Sequence, residues 1–154
     1  MSKQPATDAI ALLTDDHKAV QKMFKDYEGL GEKAYATKKK LAQQICAELT
    51  IHTQIEEEIF YPAVREAIDD DDLMDEADVE HASAKDLIAQ IEGMEPDESH
   101  YDAKVKVLGE EVAHHIEEEQ DEMFKKVRQT KIDTKALGEQ MAQRKEELKA
   151  AAEA

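Results

Sequence analysis

Cysteine, glycine, proline and tryptophan are scarce in this sequence of 154 residues, which has one cysteine, five glycines, three prolines and no tryptophan. The single cysteine, Cys46, excludes a disulfide within the chain and is typical of a reducing compartment, so we expect a cytoplasmic protein. The scarcity of glycine and proline, beside abundant Ala, Leu, Glu, Lys and Gln, favours helices over short strands. The composition therefore predicts an all-α fold.

Long apolar runs and an excess of positive charge are also missing. No segment approaches the ~20 apolar residues that a membrane-spanning helix needs. The apolar stretch near the N-terminus is too short and too interrupted for a signal peptide. A net charge of −17 would repel phosphate backbones and anionic membranes, so we expect neither nucleic acid nor a membrane as a partner.

Helical periodicity runs through four long segments, 7–29, 34–67, 72–93 and 99–129, and a shorter one at 134–151. The short connections between the long segments predict antiparallel neighbours and hence an up-down-up-down four-helix bundle over residues 1–131. Residues 132–154 are expected to form a short extra helix at the C-terminus, with Thr134 as its N-cap. We expect this C-terminal helical tail to pack loosely on the bundle.

The apolar stripe of each long helix is interrupted by a histidine, and two of the stripes also contain a glutamate. The six residues are His17, His52, Glu56, His81, His115 and Glu119. A lone histidine on an apolar face is ordinarily a hydrogen-bonded core residue, but an unpaired buried carboxylate costs several kcal/mol. No Lys or Arg lies on these stripes at the same level, so the sequence predicts that another cation, a metal ion, joins them.

The spacing of the four histidines supports a common site. The midpoints between successive histidines fall between residues 34 and 35, between 66 and 67, and at residue 98, each close to a predicted turn. Folding at these turns brings all four histidines to one level of the bundle. Four imidazoles and two carboxylates exceed the needs of one tetrahedral zinc and favour two ions such as iron or manganese.

Helical phase separates core residues from surface residues within each motif. His115 faces the core, whereas His114 lies about 100° around the helix and is expected to face solvent. Glu57, Glu58, Glu117 and Glu118 are interpreted in the same way as mostly surface charges. One of the surface glutamates could accept a hydrogen bond from an imidazole that binds metal.

These motifs resemble the hemerythrin-like family, specifically its bacterial single-domain branch with a His-His-Glu cation-binding motif. The matching elements are DDHKAV around His17, HTQIEEEIFYP from His52, EHASAKDLI around His81 and HHIEEEQDEMF from His114. The resemblance implies a four-helix bundle that holds two non-heme iron ions joined by an oxo or hydroxo bridge, with manganese or zinc as less favoured alternatives. It also implies that Glu56 and Glu119 bridge the ions and that the four histidines are terminal ligands.

The sequence departs from the oxygen-carrying members at two positions. Lys85 stands four residues after His81, where the carriers have a second histidine. Gln120 stands five residues after His115, where the carriers have an aspartate, and Glu119 lies one residue earlier. Fewer imidazoles leave more open coordination, which favours reaction with peroxide, nitric oxide or oxygen over reversible oxygen carriage.

Our main functional hypothesis is a cytoplasmic di-iron protein that binds or reacts with a small oxidant in a dry pocket. Its enzymatic form would be a peroxide- or oxygen-reactive oxidoreductase served by an electron donor. The expected pocket lining is Leu13, Ile59 and Phe60 at one end and Val20, Leu49 and Val112 at the other. The alternative is an iron storage, delivery or sensing protein whose folded state is read by a partner. The sequence leaves open the physiological oxidant, the reductant and the choice between a monomer and a weak dimer.

Overall fold

The structure, a computed structural model, describes residues 8–153, and within this range it contains five helices and no strand. The first position of the predicted 7–29 segment lies outside the described residues. Helix α1 is Ala9–Glu28, α3 is Asp71–Glu92 and α5 is Thr134–Glu153. Helix α2 runs through Tyr35–Ile55, a π-helical segment Glu56–Phe60 and Tyr61–Ala67, and α4 runs through Tyr101–Glu118, a π-helical segment Glu119–Met123 and Phe124–Arg128. The predicted all-α class is confirmed.

Aspartate side chains begin two of the bundle helices. The Asp8 carboxylate accepts hydrogen bonds from the backbone N–H groups of Ile10 and Ala11, at 2.9 and 3.2 Å. Asp70 accepts one from the backbone N–H of Leu73 at 3.1 Å. These bonds satisfy N–H groups that have no partner inside a helix, and the negative charge is favourable at the positive end of the helix dipole.

Two apolar clusters show how the helices alternate in direction. One cluster contains side chains from the first turns of α1 and α3 and from the last turns of α2 and α4, including Leu13, Phe60, Met74 and Phe124. The other takes the opposite ends of the same helices, and includes Val20, Ile45, Ile88 and Leu108. Helices that follow one another in the chain are therefore antiparallel neighbours, as the up-down-up-down prediction requires.

The C-terminal helix α5 packs on α1 and α2 more closely than the sequence suggested. Its side chains Leu137 and Met141 join the first apolar cluster, and Met141 is fully buried. The prediction of loose packing was therefore wrong. The predicted N-cap was also wrong by one residue, because Asp133 accepts the backbone N–H of Ala136 at 3.0 Å and Thr134 already lies in the helix. A division of the chain at residues 131 and 132 stays a prediction.

The helices between residues 8 and 153 are too polar along their length for any of them to cross a membrane.

Candidate metal centre

All six residues singled out in the sequence lie in one layer between the two apolar clusters. His17, His52, Glu56, His81 and Glu119 are buried. His115 is partly buried, with 12% of its side chain exposed. The fold thus brings together the complete predicted set, while the role of each residue as a metal ligand stays a prediction.

Each of the two glutamates contacts histidines on both sides of the layer. Glu119 places Oε1 at 3.0 Å from Nε2 of His17 and Oε2 at 3.2 Å from Nε2 of His115. Glu56 places Oε1 at 3.4 Å from Nε2 of His52 and at 3.0 Å from Nε2 of His81. Both carboxylates therefore lie between the histidines rather than beside them.

The donor atoms form two half-sites. The first half-site consists of His17, His52, Glu56 and Glu119, and the second consists of Glu56, His81 and His115. Within each group the ligand atoms lie within 4.8 Å of one another. The paired rings have centroids 5.1 Å apart in the first half-site and 4.9 Å apart in the second. Glu56 belongs to both groups, so the two half-sites adjoin.

Each imidazole is oriented by a hydrogen bond from its Nδ1 to a side-chain oxygen at the periphery of the layer, here called its outer acceptor. The four Nδ1 contacts are His17 with Gln120 at 2.9 Å, His52 with Asp16 at 3.1 Å, His81 with Glu57 at 2.8 Å and His115 with Glu80 at 2.6 Å. A carboxylate or amide oxygen only accepts, so Nδ1 carries the hydrogen in every case. This arrangement directs Nε2 to the centre, as in metal sites whose histidines are held by outer acceptors.

Sequence reasoning missed most of these outer acceptors. A surface glutamate was expected to serve, and Glu57 does so, but Asp16, Glu80 and Gln120 were not recognised. The available signal was an acid directly before a core histidine, as in Asp16 and Glu80. The signal is indirect, because each of these acids binds the histidine of a neighbouring helix and not the histidine that follows it.

A π-helical turn follows each core glutamate. The backbone N–H of Tyr61 donates to the carbonyl of Glu56, and that of Phe124 donates to the carbonyl of Glu119, five residues earlier in both cases. The extra residue in each turn is typical of functional sites in helices. Helical periodicity predicts regular α-helix here, although both motifs share the pattern His-x3-Glu-x4-aromatic.

Tyr61 was not among the predicted site residues, yet its hydroxyl lies in the second half-site. The hydroxyl donates to Glu119 Oε2 at 2.5 Å and lies 3.2 Å from Nε2 of His81 and 3.1 Å from Nε2 of His115. Burial and the charges of Glu119 and Glu56 raise the pKa of Tyr61 well above its ordinary value. The phenol therefore keeps its proton and acts as a hydrogen-bond donor.

The electrostatics of the layer favour the protonated forms of His52 and His115 and the ionised form of Glu119. Burial lowers the pKa of His52, but the charge of Glu56 and the bond to Asp16 raise it to about 10. Burial likewise lowers the pKa of His115, and Glu119 with Glu80 raises it to about 11. Burial would raise the pKa of Glu119, yet its neighbouring histidines hold it well below its usual range. A metal ion would therefore have to displace protons from this layer.

Unpartnered polar atoms test whether the residues fit a metal ion. Among residues 8–153, five buried side-chain atoms have no hydrogen-bond partner: His17 Nε2, His52 Nε2, Glu56 Oε1, Glu56 Oε2 and Glu119 Oε1. The 3.0 Å approach of His17 to Glu119 lacks the alignment of a hydrogen bond. Each such atom costs about 1–3 kcal/mol, and imidazole nitrogen and carboxylate oxygen are ordinary ligands of divalent metals. The residues therefore fit a metal ion.

Comparison with known proteins agrees with this geometry. Residues 8–127 match the sequence profile described as the hemerythrin HHE cation binding domain. The chain belongs to the hemerythrin HHE cation-binding family. The resemblance inferred from the four motifs is thereby confirmed, and the buried His/Glu cluster lies within the cation-binding domain.

A solved structure and a curated protein are similar to this HHE chain. The crystal structure of a hemerythrin HHE cation-binding domain-containing protein from Mycobacterium kansasii matches with a TM-score of 0.81 at 23% identity, covering 94% of this chain and 89% of the other. That likeness supports the fold. A DNA nickase from Nostoc sp. is 32% identical over 85 residues, which are 55% of this chain and 24% of the nickase. The matched segment is thus about a quarter of the length of that relative.

A small cavity adjoins the layer of six residues on one side. It has a volume of about 40 Å³ and is lined by the four core histidines, by apolar side chains and by the polar residues Asp16, Glu48, Thr53, Glu80 and Glu111. The apolar lining is Val20, Leu49, Ala84, Val112 and Ile116. Of the two expected pocket ends, the cavity lies at the end with Val20, Leu49 and Val112. Leu13 and Phe60 at the other end are fully buried in the first apolar cluster, with Ile59 packed against it.

Proposed function

We propose that this HHE-domain chain is a non-heme di-iron protein that binds or reacts with a small oxidant, which is oxygen, peroxide or nitric oxide. The six residues that would bind the metal are His17, His52, Glu56, His81, His115 and Glu119. The observation that carries the proposal is the position of the two glutamates, each of which contacts histidines of both half-sites. Such carboxylates are suited to lie between two ions.

The donor set supports iron as the metal. Four imidazole nitrogens and two shared carboxylates suit ions that accept five or six ligands, whereas structural zinc sites are tetrahedral. Manganese is the second choice on the same grounds. Bound iron would supply electrons and an open coordination position to the oxidant. The chain's own residues would bind the metal, orient the ligands and limit access to the site.

Those residues hold the site, orient it and restrict what enters. The outer acceptors keep each Nε2 directed inward. A water needs about 10–15 Å³ of such space, so a cavity of about 40 Å³ has room for a diatomic or peroxide and excludes a large organic substrate. Val20, Leu49 and Val112 supply part of the cavity's apolar wall, and the Tyr61 hydroxyl can donate a hydrogen bond to a ligand in the second half-site.

We also propose a reducing, cytoplasmic location and no nucleic-acid partner. Cys46 is a buried free thiol, and burial, with a smaller contribution from Glu92, raises its pKa to about 12. The net charge of −17 opposes contact with DNA, so we do not extend the activity named for the Nostoc relative to this chain. A monomer or weak dimer, served by an electron donor, is the assembly we expect.

Iron storage, delivery or sensing is the second candidate. It is favoured by the unpartnered atoms of Glu56, His17 and His52, because a bound ion would stabilise a layer to which four helices contribute. A partner protein could then recognise the loaded form. This candidate requires metal binding without a reaction with oxidants.

Anaerobic loading with iron(II), followed by elemental analysis, tests the metal centre. We expect two irons per chain. One zinc per chain in the native protein, with no gain on iron loading, would contradict the di-iron proposal. The loaded protein is then exposed separately to oxygen, hydrogen peroxide and nitric oxide while its charge-transfer absorption is followed. A change with at least one of them is expected, and no change with all three would favour the sensing candidate.

A further inference from the structure

Helix α5 lies beyond residues 8–127, the segment that matches the family, yet it reaches the periphery of the centre. Its buried residues Leu137 and Met141 fix it against α1 and α2. One turn further along, Arg144 and Lys145 extend toward acidic residues of the bundle. Arg144 contacts Glu58 and Lys145 contacts Asp16, and of these two acids only Asp16 contacts a core histidine.

Lys145 is connected to His52 through a single carboxylate. Its Nζ lies 2.5 Å from Oδ1 of Asp16, and Oδ2 of Asp16 accepts a hydrogen bond from Nδ1 of His52 at 3.1 Å. Asp16 is 12% exposed and Lys145 is 20% exposed, so water competes little for these bonds. The other nitrogen of His52 faces Glu56 at 3.4 Å. Asp16 thus joins the C-terminal helix to the metal-facing imidazole.

From this arrangement we infer that Lys145 is a positioning residue for His52. It holds the Asp16 carboxylate in the rotamer that receives the Nδ1 hydrogen, and so keeps Nε2 directed at the first half-site. Outer partners of metal-binding histidines orient the ring and raise its basicity. The inference deepens the proposed function and rests on it, because it requires that His52 bind a metal ion.

A second connection of the same kind lies at the surface of the bundle, between α2 and α3. Lys85 Nζ lies 2.6 Å from Oε1 of Glu57, and Oε2 of Glu57 accepts a hydrogen bond from Nδ1 of His81 at 2.8 Å. His52 and His81 are the two histidines that contact Oε1 of Glu56. A lysine therefore holds the outer acceptor of both histidines that share this oxygen, one from α3 and one from α5.

Arg144 offers a matched control on the same helix. Its guanidinium contacts Glu58 at 2.8 and 3.3 Å, and Glu58 also accepts a hydrogen bond from Gln54. Like Lys145, Arg144 ties α5 to an acid of the bundle by an ion pair. Replacing either residue with Met removes one ion pair between α5 and the bundle, but only Lys145→Met alters the environment of a core histidine.

The test is an anaerobic titration of the full-length chain with cobalt(II), followed by its visible d–d spectrum. Replacing an outer partner costs about 10–100-fold in metal affinity. Because Lys145 acts through Asp16, we expect Lys145→Met to weaken cobalt binding about threefold to tenfold and to change the d–d spectrum. Arg144→Met should keep the spectrum and change the affinity by less than about twofold. Equal spectra and affinities for the two variants would overturn the inference.

Two further variants separate positioning from a general loss of structure. Lys145→Arg keeps a charged donor and should restore the spectrum. Adding Asp16→Asn to Lys145→Met should weaken binding no further than Asp16→Asn alone, since both changes act on the same connection. Additive effects, or failure of arginine to rescue, would contradict a role through Asp16. If the unaltered protein bound no cobalt, the proposed metal centre itself would fail, a result distinct from normal binding with a silent Lys145→Met.

Discussion

Tyr61 and Phe124 occupy corresponding positions in two similar helices. Each aromatic residue lies five residues after a core glutamate and directly follows a π-helical turn. Each ring also stacks on a histidine: Tyr61 on His81 with centroids 5.1 Å apart, and Phe124 on His17 with centroids 6.1 Å apart. The two positions thus have the same backbone geometry, and their side chains differ by one hydroxyl.

That hydroxyl makes the two half-sites unequal. It lies within 3.2 Å of Nε2 of both His81 and His115, whereas Nε2 of His17 and of His52 has no hydrogen-bond partner between residues 8 and 153. A metal ion entering the first half-site would satisfy unpaired atoms, but one entering the second would have to displace the Tyr61 hydroxyl. We therefore expect the first half-site to bind metal more tightly.

The largest loss of metal affinity is expected when a group that both half-sites use is removed. Glu119→Ala eliminates the carboxylate that contacts His17 and His115. We expect both ions to bind at least about 100-fold more weakly, above the usual loss for an outer partner. Chelator competition measures this affinity. Glu118→Ala is the control, and an equal loss in both variants would show that the wrong carboxylate was assigned.

The metal affinity of both half-sites should depend on pH, because each half-site has a histidine with a raised pKa. His52, with a pKa of about 10, and His115, with a pKa of about 11, must each release a proton when metal binds. Between pH 9 and pH 6 the apparent affinity should therefore fall about tenfold per pH unit for each histidine. A titration by calorimetry at several pH values measures this, and an affinity independent of pH would contradict it.

The stability of the metal-free protein should follow the opposite trend. The folded-state pKa of each of these histidines lies above the unfolded value of about 6.5. Their contribution to stability is therefore complete below about pH 6.5 and is lost as the pH rises through about 10 to 11. Thermal melts of the metal-free chain should show Tm falling from pH 7 to pH 10 as this contribution is lost. A rising Tm would mean that the histidines are not held protonated.

Exchanging the aromatic residues tests whether the Tyr61 hydroxyl causes the difference in affinity between the two half-sites. Tyr61→Phe removes the hydroxyl that the second ion must displace, so we expect the second ion to bind about fivefold more tightly, the value of one typical hydrogen bond. Phe124→Tyr should reduce the affinity of the first half-site by a similar factor. Stepwise metal titration of both variants measures the ratio of the two affinities. An unchanged ratio would show that Tyr61 does not distinguish the half-sites.

The smallest effect is expected outside both half-sites. The side chain of His114 is 67% exposed and pairs with Glu118 at 2.5 Å. His114→Ala should therefore change metal affinity by less than about twofold, whereas His115→Ala should remove a proposed ligand. A metal loss in His114→Ala equal to that in His115→Ala would mean that the helical phase was interpreted wrongly.

The fold and the inner residues could be predicted because their signals are local. Amphipathic spacing marks four long helices, and short connections between them require antiparallel packing. Glu56 and Glu119 interrupt apolar stripes, where an unpaired charge would be costly, so the pattern pointed to a cation. The spacing of the histidines about the turns was sufficient to place them at one level.

The remaining features depend on contacts between distant parts of the chain. The outer acceptors lie 24 to 103 residues from the histidines they bind, as with Glu57 and His81 or Gln120 and His17. The π-helical turns shift the helical phase, so regular periodicity could not place the Tyr61 hydroxyl in the second half-site. Likewise, only the packing of Met141 against α1 and α2 decides that Lys145 reaches Asp16. Local spacing is enough to predict which helices form and which residues face the core. Which neighbour completes each hydrogen bond depends on how helices far apart in the chain pack together, and this becomes visible only in the folded structure.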